Sequence, residues 1–246
     1  MIQERGTDGV PVLKDESSWR DWARGVAIAA PIVVGYLPIG FAFGVLADKA
    51  GLSHANTMLL SLLVYAGSSQ LIAVGLFEAQ VPALSIILTT FMVNLRHLLM
   101  SAALSPYLRG WRRSEIAAFA YQLTDETFAI HSTRFPGNER PGGEIFGINI
   151  TAQVGWLVGT WLGIVAGRFV AEVEPLALDY ALPAMFLALL VLQIKDREHV
   201  FVALLSGILS VVFYLFGVNQ WNVVLATFLG ATLGVMMEQW TKKQYS

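Results

Sequence analysis

The sequence predicts an all-α, polytopic integral membrane protein of about eight transmembrane or re-entrant helices, with six to eight as the range and some of them broken. Three observations predict it. Hydrophobic residues fill 55% of the 246 positions and charged ones only 14%, whereas about a quarter of a soluble globular domain is charged. Gly25 to Ala47, Ala50 to Phe77 and Ile145 to Gly167 each contain no Asp, Glu, Lys or Arg, and about 20 apolar residues suffice to cross the hydrocarbon of a bilayer. His199 to Met237 is also free of those four residue types and is long enough to cross twice, with positions 217–220 as its turn. Neither the alternation of a β-barrel nor a soluble core accounts for runs of this length.

Residues 1–24, MIQERGTDGVPVLKDESSWRDWAR, are polar and mixed in charge. They lack the basic start and early apolar stretch of a signal peptide, and so read as a short tail on the cytoplasmic side. The expected organisation is that tail, a single transmembrane domain over 25–238 and a second tail over 239–246. No polar stretch is long enough to fold as a separate domain, which puts the function within the bilayer. There is no cysteine, which excludes disulfides, thiolate metal sites and a cysteine nucleophile. The net charge is −2 and Arg109, Arg112 and Arg113 form the only basic cluster, so no nucleic-acid footprint is present.

Helices are expected near 25–47, 56–77, 82–106, 115–133, 145–167, 178–194, 199–216 and 221–238. Gly51 and Ser53, Pro82, Ser105-Pro106 and the loop FPGNERPGGE mark boundaries. With the amino end inside, eight crossings place Arg5, Lys14, Arg20, Arg24, Arg134, Arg140, Lys195, Arg197, Lys242 and Lys243 in the cytoplasm, and Lys49, Arg109, Arg112, Arg113 and Arg168 outside. That asymmetry favours both termini inside. The 109–113 cluster violates it, and a re-entrant segment near 56–77 or 115–133 is the alternative; making 56–77 alone re-entrant evens out the charges.

In the first helix, Pro31 and Pro38 each remove a backbone donor, while Gly35, Gly40 and Gly44 leave room for a close neighbour. Such residues commonly serve packing. Pro38 also leaves the Val34 carbonyl without a donor and is an expected helix break, of the kind that makes ligand sites in transporters. In the second helix Tyr65, Gly67, Ser68, Ser69 and Gln70 form one block. Serine can bond back to its own helix, but a glutamine amide left unpaired in hydrocarbon costs a few kcal/mol. Gln70 could tie two helices together, and the whole block points to an opened helix beside a ligand or water path.

In the third helix, FMVNLRHLLMSAAL, Asn94 and His97 share a face, and Arg96 points about 160° away from Asn94. Near the middle of its helix Arg96 is too deep for easy snorkelling, so a buried ion pair is expected. The fourth segment, AAFAYQLTDETFAIHS, offers Asp125 and Glu126 as partners. These neighbours cannot occupy one helical face. One could pair with Arg96 while the other lines a path with Gln122 and Thr124, intramembrane acids being common proton or substrate sites. A short interfacial helix with its polar side in water is the plainer reading.

In the fifth segment Gly155, Gly159, Gly163 and Gly167 recur every fourth residue and form a stripe for close helix packing. Asn149, Thr151 and Gln153 could extend the polar interior. The sixth begins DYALPAMFLALL, where Pro183 suggests a tilted or broken start. There is no Walker loop, dinucleotide fingerprint, HExxH pair or GxSxG elbow, hence no expected cofactor and no expected enzyme activity. His54, His97, His131 and His199 lie far apart in sequence, and no metal site is expected from them.

The ordered blocks GYLPIGFAFG (35–44), YAGSSQ (65–70), NLRH (94–97), LTDETFA (123–129) and LPAMF (182–186) resemble the AzlC family of branched-chain amino acid permeases. The resemblance runs from about residue 20 to 240. It implies an inner, cytoplasmic-membrane protein that exports leucine, isoleucine, valine and related amino acids such as methionine, with a small AzlD-like membrane partner. In that light Tyr65, Gly67, Ser68, Ser69, Gln70, Asn94, Gln122 and Thr124 are the expected substrate-lining residues. Asp125, Glu126 and His97 are the expected proton-coupling groups, and Arg96 the structural cation. Phe41, Phe43 and Tyr65 could receive the aliphatic side chain. A carrier of another small solute, a channel and a non-transport scaffold subunit remain alternatives, and oligomeric state is open.

Overall fold

The computed structural model describes residues 19–135, 142–169, 196–217 and 222–244, with isolated positions between 180 and 194. All regular structure among them is helical. Two compact units divide at residue 183, and each is described by itself.

The first unit is organised around a pair of long helices, α1 (Trp19–Lys49) and α7 (Gly142–Gly167). The glycines set their separation. A Cβ at Gly40 would lie 2.9 Å from the Trp156 carbonyl oxygen, one at Gly44 would overlap the Thr160 carbonyl, and one at Gly163 would overlap that of Phe41. Gly155 and Gly159 face Val33 and Leu37 in the same seam. The expected glycine stripe is therefore the α1 contact. Its register rises together on both helices, from Gly25 beside Gly147 to Gly44 beside Gly163, so α1 and α7 run parallel. Both begin at one face of the bilayer, here the amino-terminal face, and end at the opposite face.

Proline does not break α1. The helix continues through both Pro31 and Pro38, which corrects the expectation at Pro38. Each ring removes one hydrogen bond, but close docking on α7 along the whole length holds the helix on course.

The breaks lie in the next two hydrophobic segments. Residues 54–78 form α2 (His54–Leu59), a π-helical turn over Leu60–Val64, and α3 (Gly67–Glu78). Tyr65 ends the π turn at φ 42°, the left-handed region, where a non-glycine residue costs about 1–3 kcal/mol and needs surrounding structure to hold it. Then comes α4 (Ala83–Leu104) with a 3₁₀ turn, Ser105–Leu108. Residues 113–134 again form two short helices, α5 (Arg113–Tyr121) and α6 (Asp125–Arg134), with Thr124 as N-cap of the second.

Contacts fix how these pieces run. His54 Nε2 lies 3.1 Å from Asp48 at the end of α1, and Arg168 at the end of α7 is 3.5 Å from the same ring. The 54–78 segment thus starts at the opposite face. Seven residues on, Ser61 Oγ is 2.8 Å from Thr160 Oγ1. At the break, Ser68 at the start of α3 accepts from Arg96 in the body of α4. Counting back from Arg96, the first part of α4 covers about 20 Å and α3 about 18 Å at 1.5 Å per residue. A short turn joins them, so they form an antiparallel pair leading back to the opposite face. The far end of α4 lies at the amino-terminal face: Leu104 and Leu108 pack in one cluster with Ile145 at the start of α7, and Trp111 contacts Phe146. The 113–134 segment starts there and ends there, since Arg134 Nη2 is 2.7 Å from Glu144.

Both broken segments are therefore re-entrant, one from each face, and among the described residues of this unit α1, α4 and α7 cross. Together with α8 (Arg197–Leu215) of the second unit, they are the helices long and apolar enough to span among the described residues. These four are fewer than the six to eight transmembrane or re-entrant helices expected, and two of the expected segments are the re-entrant ones. Re-entry also moves Arg109, Arg112 and Arg113 to the amino-terminal face, joining Arg20, Arg24 and Arg134, while Lys49 and Arg168 occupy the opposite face. The apparent charge violation came from treating each apolar run as a crossing.

In the second unit α8 is N-capped by Asp196, whose carboxylate accepts from the His199 amide at 2.9 Å. That hydrogen bond holds the Asp196 carboxyl below its usual range. Gly217, at φ 79°, follows α8, as the expected turn requires; its remaining positions lie outside the described residues. The last helix, α9 (Asn222–Gln244), packs antiparallel on α8, with Gly230 against Ser206 and Gly234 against Val202. The helix expected over 178–194, with its break at Pro183, falls largely outside the described residues. So do positions 1–18 of the expected tail; its remainder, from Trp19, is already helical.

Candidate functional site

The site is the place where the two re-entrant segments meet between α1, α4 and α7. Tyr121 at the end of α5 donates to the Leu62 carbonyl in the π turn, joining the two tips directly. Each tip then presents the start of a half-helix, α3 or α6, to the interior. Such a start carries unpaired N–H groups and about half a positive charge.

The first break is held by its own side chains. Gln70 Oε1 accepts from the Ala66 amide at 3.2 Å, and its Nε2 donates to Ser61 Oγ at 3.1 Å. Ser69 Oγ donates to the Ala66 carbonyl at 3.0 Å. Ser61 also accepts from the Trp156 indole at 3.2 Å, and Gly67 exists because the Trp156 ring fills the space a Cβ would need. Gln70, Ser69 and Gly67 are thus occupied in keeping the helix open. Ser68 is different, because its hydroxyl turns toward α4 and accepts from Arg96 Nη2 at 2.5 Å.

The second break is built similarly. Thr124 accepts from the Thr127 amide at 3.3 Å, while the Thr127 hydroxyl accepts from the Thr124 amide at 2.8 Å. Gln122 donates to Gln153 Oε1 at 3.0 Å, and Gln153 donates to the Tyr121 hydroxyl at 2.9 Å, so α7 supports this tip through one residue. On the same half-helix, His131 Nε2 lies 2.8 Å from Asn149 Oδ1 in a buried cluster with Phe119 and Phe135.

The two neighbouring acids of α6 go to different partners. Asp125 Oδ2 is 2.8 Å from Arg96 Nη1, with both side chains about one-fifth exposed, at 18% and 25%. Arg96 therefore ties α4 to the starts of both half-helices. Glu126 turns the other way: the Tyr36 hydroxyl of α1 donates to its Oε2 at 2.5 Å, with Thr124 Oγ1 2.7 Å from the same phenolic oxygen. No cation lies within salt-bridge distance of Glu126 among the described residues. Three polar atoms on these segments and α4 are buried with no hydrogen-bond partner: Tyr65 Oη, Asn94 Oδ1 and Arg96 Nε. His97 bonds through Nδ1 to the Asn94 carbonyl of its own helix, at 3.1 Å.

Of the residues expected at the site, Tyr65, Ser68, Arg96, Thr124, Asp125 and Glu126 converge, whereas Asn94 lies on a different side of α4 from Arg96. Phe43 is buried in stacking on Trp156 at a centroid distance of 6.1 Å, and Phe41 backs the Gly163 seam. Sequence reasoning passed over Tyr36, although it is the one residue with a polar tip in the apolar middle of α1. It also passed over Glu144, which is 3.5 Å from Arg24 and 2.7 Å from Arg134 at the amino-terminal face. Among the described residues no three His, Asp or Glu side chains gather as a metal site would require.

Residues 31–170, which contain this whole junction, match the family model described as AzlC protein. An uncharacterized membrane protein of Archaeoglobus fulgidus is 34% identical over 85% of this chain and 92% of its own length. The inner membrane protein YgaZ of Escherichia coli is 29% identical over 86% of this chain and 87% of that one. The branched-chain amino acid transport protein AzlC of Bacillus subtilis is 24% identical over 95% of this chain and 92% of that one. No solved structure matches.

Proposed function

Since the chain belongs to the AzlC family, we propose that this multi-pass membrane protein is a secondary carrier that exports leucine, isoleucine, valine and methionine in exchange for protons. The amino-terminal face is cytoplasmic in this reading, because it carries six of the eight Lys and Arg residues described at the two faces of the first unit. A small AzlD-like membrane protein is its partner.

The observation that carries the proposal is the meeting of two half-helix starts with one ion pair and one separate carboxylate. A zwitterion needs an acceptor for its ammonium and donors for its carboxylate. Glu126 supplies the acceptor, and the starts of α3 and α6 with the Arg96 edge supply the positive side. The re-entrant tips are short and reach the junction from opposite faces. Movement of one at a time would open the site to one side and then the other, which is what alternating access requires. The aliphatic side chains differ by about 1–3 kcal/mol per methylene in an apolar pocket, so overlapping specificity among these amino acids is expected.

Counterflow in proteoliposomes tests the reading. Purified protein, with and without the small partner, is loaded with unlabelled leucine and offered labelled leucine or valine. Saturable exchange is expected, driven further by a pH gradient. Absence of exchange in both preparations of folded protein would refute the carrier assignment.

A further inference from the structure

We propose that Glu126 is the single carboxylate that the substrate's ammonium and a proton occupy in turn, while Asp125 is kept out of that exchange by Arg96. The inference rests on the carrier reading for its ammonium half, and on geometry alone for the division between the two acids.

The argument is one of charge. Arg96 and Asp125 lie 2.8 Å apart and cancel. Arg96 is further held by Ser68, so neither charge can leave the pair without stranding the other at depth in the bilayer. Glu126 has hydroxyls and the backbone of its own half-helix start for company, and no cation within salt-bridge distance among the described residues. Tyr36 reaches it from α1, Thr124 stands beside it on its own half-helix, and Tyr65, at the break in the other segment, is buried in one cluster with Tyr36. Asp125, its chain neighbour, is already compensated by Arg96, and His97 on α4 bonds to its own helix. A carboxylate so placed needs one positive charge. A proton provides it when the site is empty, and an ammonium provides it when substrate is bound.

Phenolic oxygens suit both states. The Tyr36 hydroxyl can donate to the ionised carboxylate and accept from the protonated one, and the buried, unpartnered Tyr65 oxygen can accept from an ammonium. No covalent bond to the substrate forms or breaks. The proton leaves Glu126 for the aqueous side from which substrate enters, and returns to Glu126 from the side to which substrate leaves. One site holding one or the other enforces one-for-one antiport without any link between distant groups.

Infrared spectroscopy of the purified full-length protein tests each part. In substrate-free protein, raising the pH should discharge a carboxylic-acid C=O band. That band should be absent from E126Q, retained in D125N, and shifted in Y36F, which removes a hydrogen-bond partner without touching Glu126 and so assigns the band even if E126Q does not fold. Adding L-leucine at constant pH should discharge the same band and release one proton per bound molecule. L-leucine methyl ester, which keeps the ammonium, should also discharge it. The keto acid 4-methyl-2-oxopentanoate, which lacks the ammonium, should not. A band lost in D125N and kept in E126Q would overturn the division of roles. Leucine binding that leaves the band in place would overturn the shared site while leaving the carrier standing. A band assigned to Glu126 with no leucine binding at all would refute the carrier reading and the ammonium half together.

Discussion

Arg96 on α4 and Asp125 at the first residue of α6 form an ion pair of 2.8 Å that fastens a membrane-crossing helix to the tip of a re-entrant one. The same guanidinium reaches Ser68 at the start of α3, so one side chain holds both tips in position.

Removing one partner should therefore cost more than removing both. R96A leaves an uncompensated carboxylate, a defect worth about 3–5 kcal/mol when fully buried and less here because both groups are partly exposed. Thermal unfolding in detergent should show R96A strongly destabilised and R96Q/D125N closer to the parent. Equal loss in the single and double variants would contradict a structural pair.

The α1 and α7 seam predicts a contrast among glycines. G163A and G44A place a methyl group against backbone carbonyls at overlapping distance, whereas G35A meets nothing within 4 Å. Overpacking costs about 1–3 kcal/mol, and rigid backbone cannot yield as a side chain would. Unfolding temperatures should fall for the first two variants and hold for G35A.

Gln70 should behave as a structural amide. In Q70L the Ala66 N–H loses its buried partner, at about 1–3 kcal/mol, while the Ser61 hydroxyl keeps Thr160 and Trp156. Hydrogen exchange at the Ala66 amide should accelerate sharply. S69A should have a milder effect, because the Ala66 carbonyl keeps the Gln70 backbone amide as a donor.

Asp196 gives a pH-dependent cap. Its carboxyl is held low by the His199 amide, so the cap is present above the ordinary carboxylate range and is lost as pH falls through the depressed folded-state value. The protection of the His199 amide, measured relative to its intrinsic exchange rate at each pH, should fall with acidification in the parent protein and be low already at neutral pH in D196A.

Composition and uncharged runs were enough to read a helical membrane protein, and the block from Tyr65 to Gln70 was enough to read an opened helix. What could not be read was direction. An apolar run of the same length suits a crossing or a hairpin, and only the partners of Arg96, Trp111 and Arg134 show that 54–78 and 113–134 turn back. Pro38 misled for the opposite reason. Its local chemistry disfavours a helix, but the glycine seam with α7 overrides it. The choice of Asp125 over Glu126 as the partner of Arg96 was also open, because adjacent positions differ only in the direction they face. Tyr36 was missed because its partner lies 90 residues away.

The central claim, that the two segments enter from opposite faces, is most directly tested by single-cysteine labelling, for which the cysteine-free chain is ready. With a membrane-impermeant maleimide on sealed vesicles of known orientation, R20C and R112C should be labelled from one side, and K49C and Q80C from the other. Labelling of Q80C together with R20C, or of R112C together with K49C, would show that the segments cross and would contradict the account.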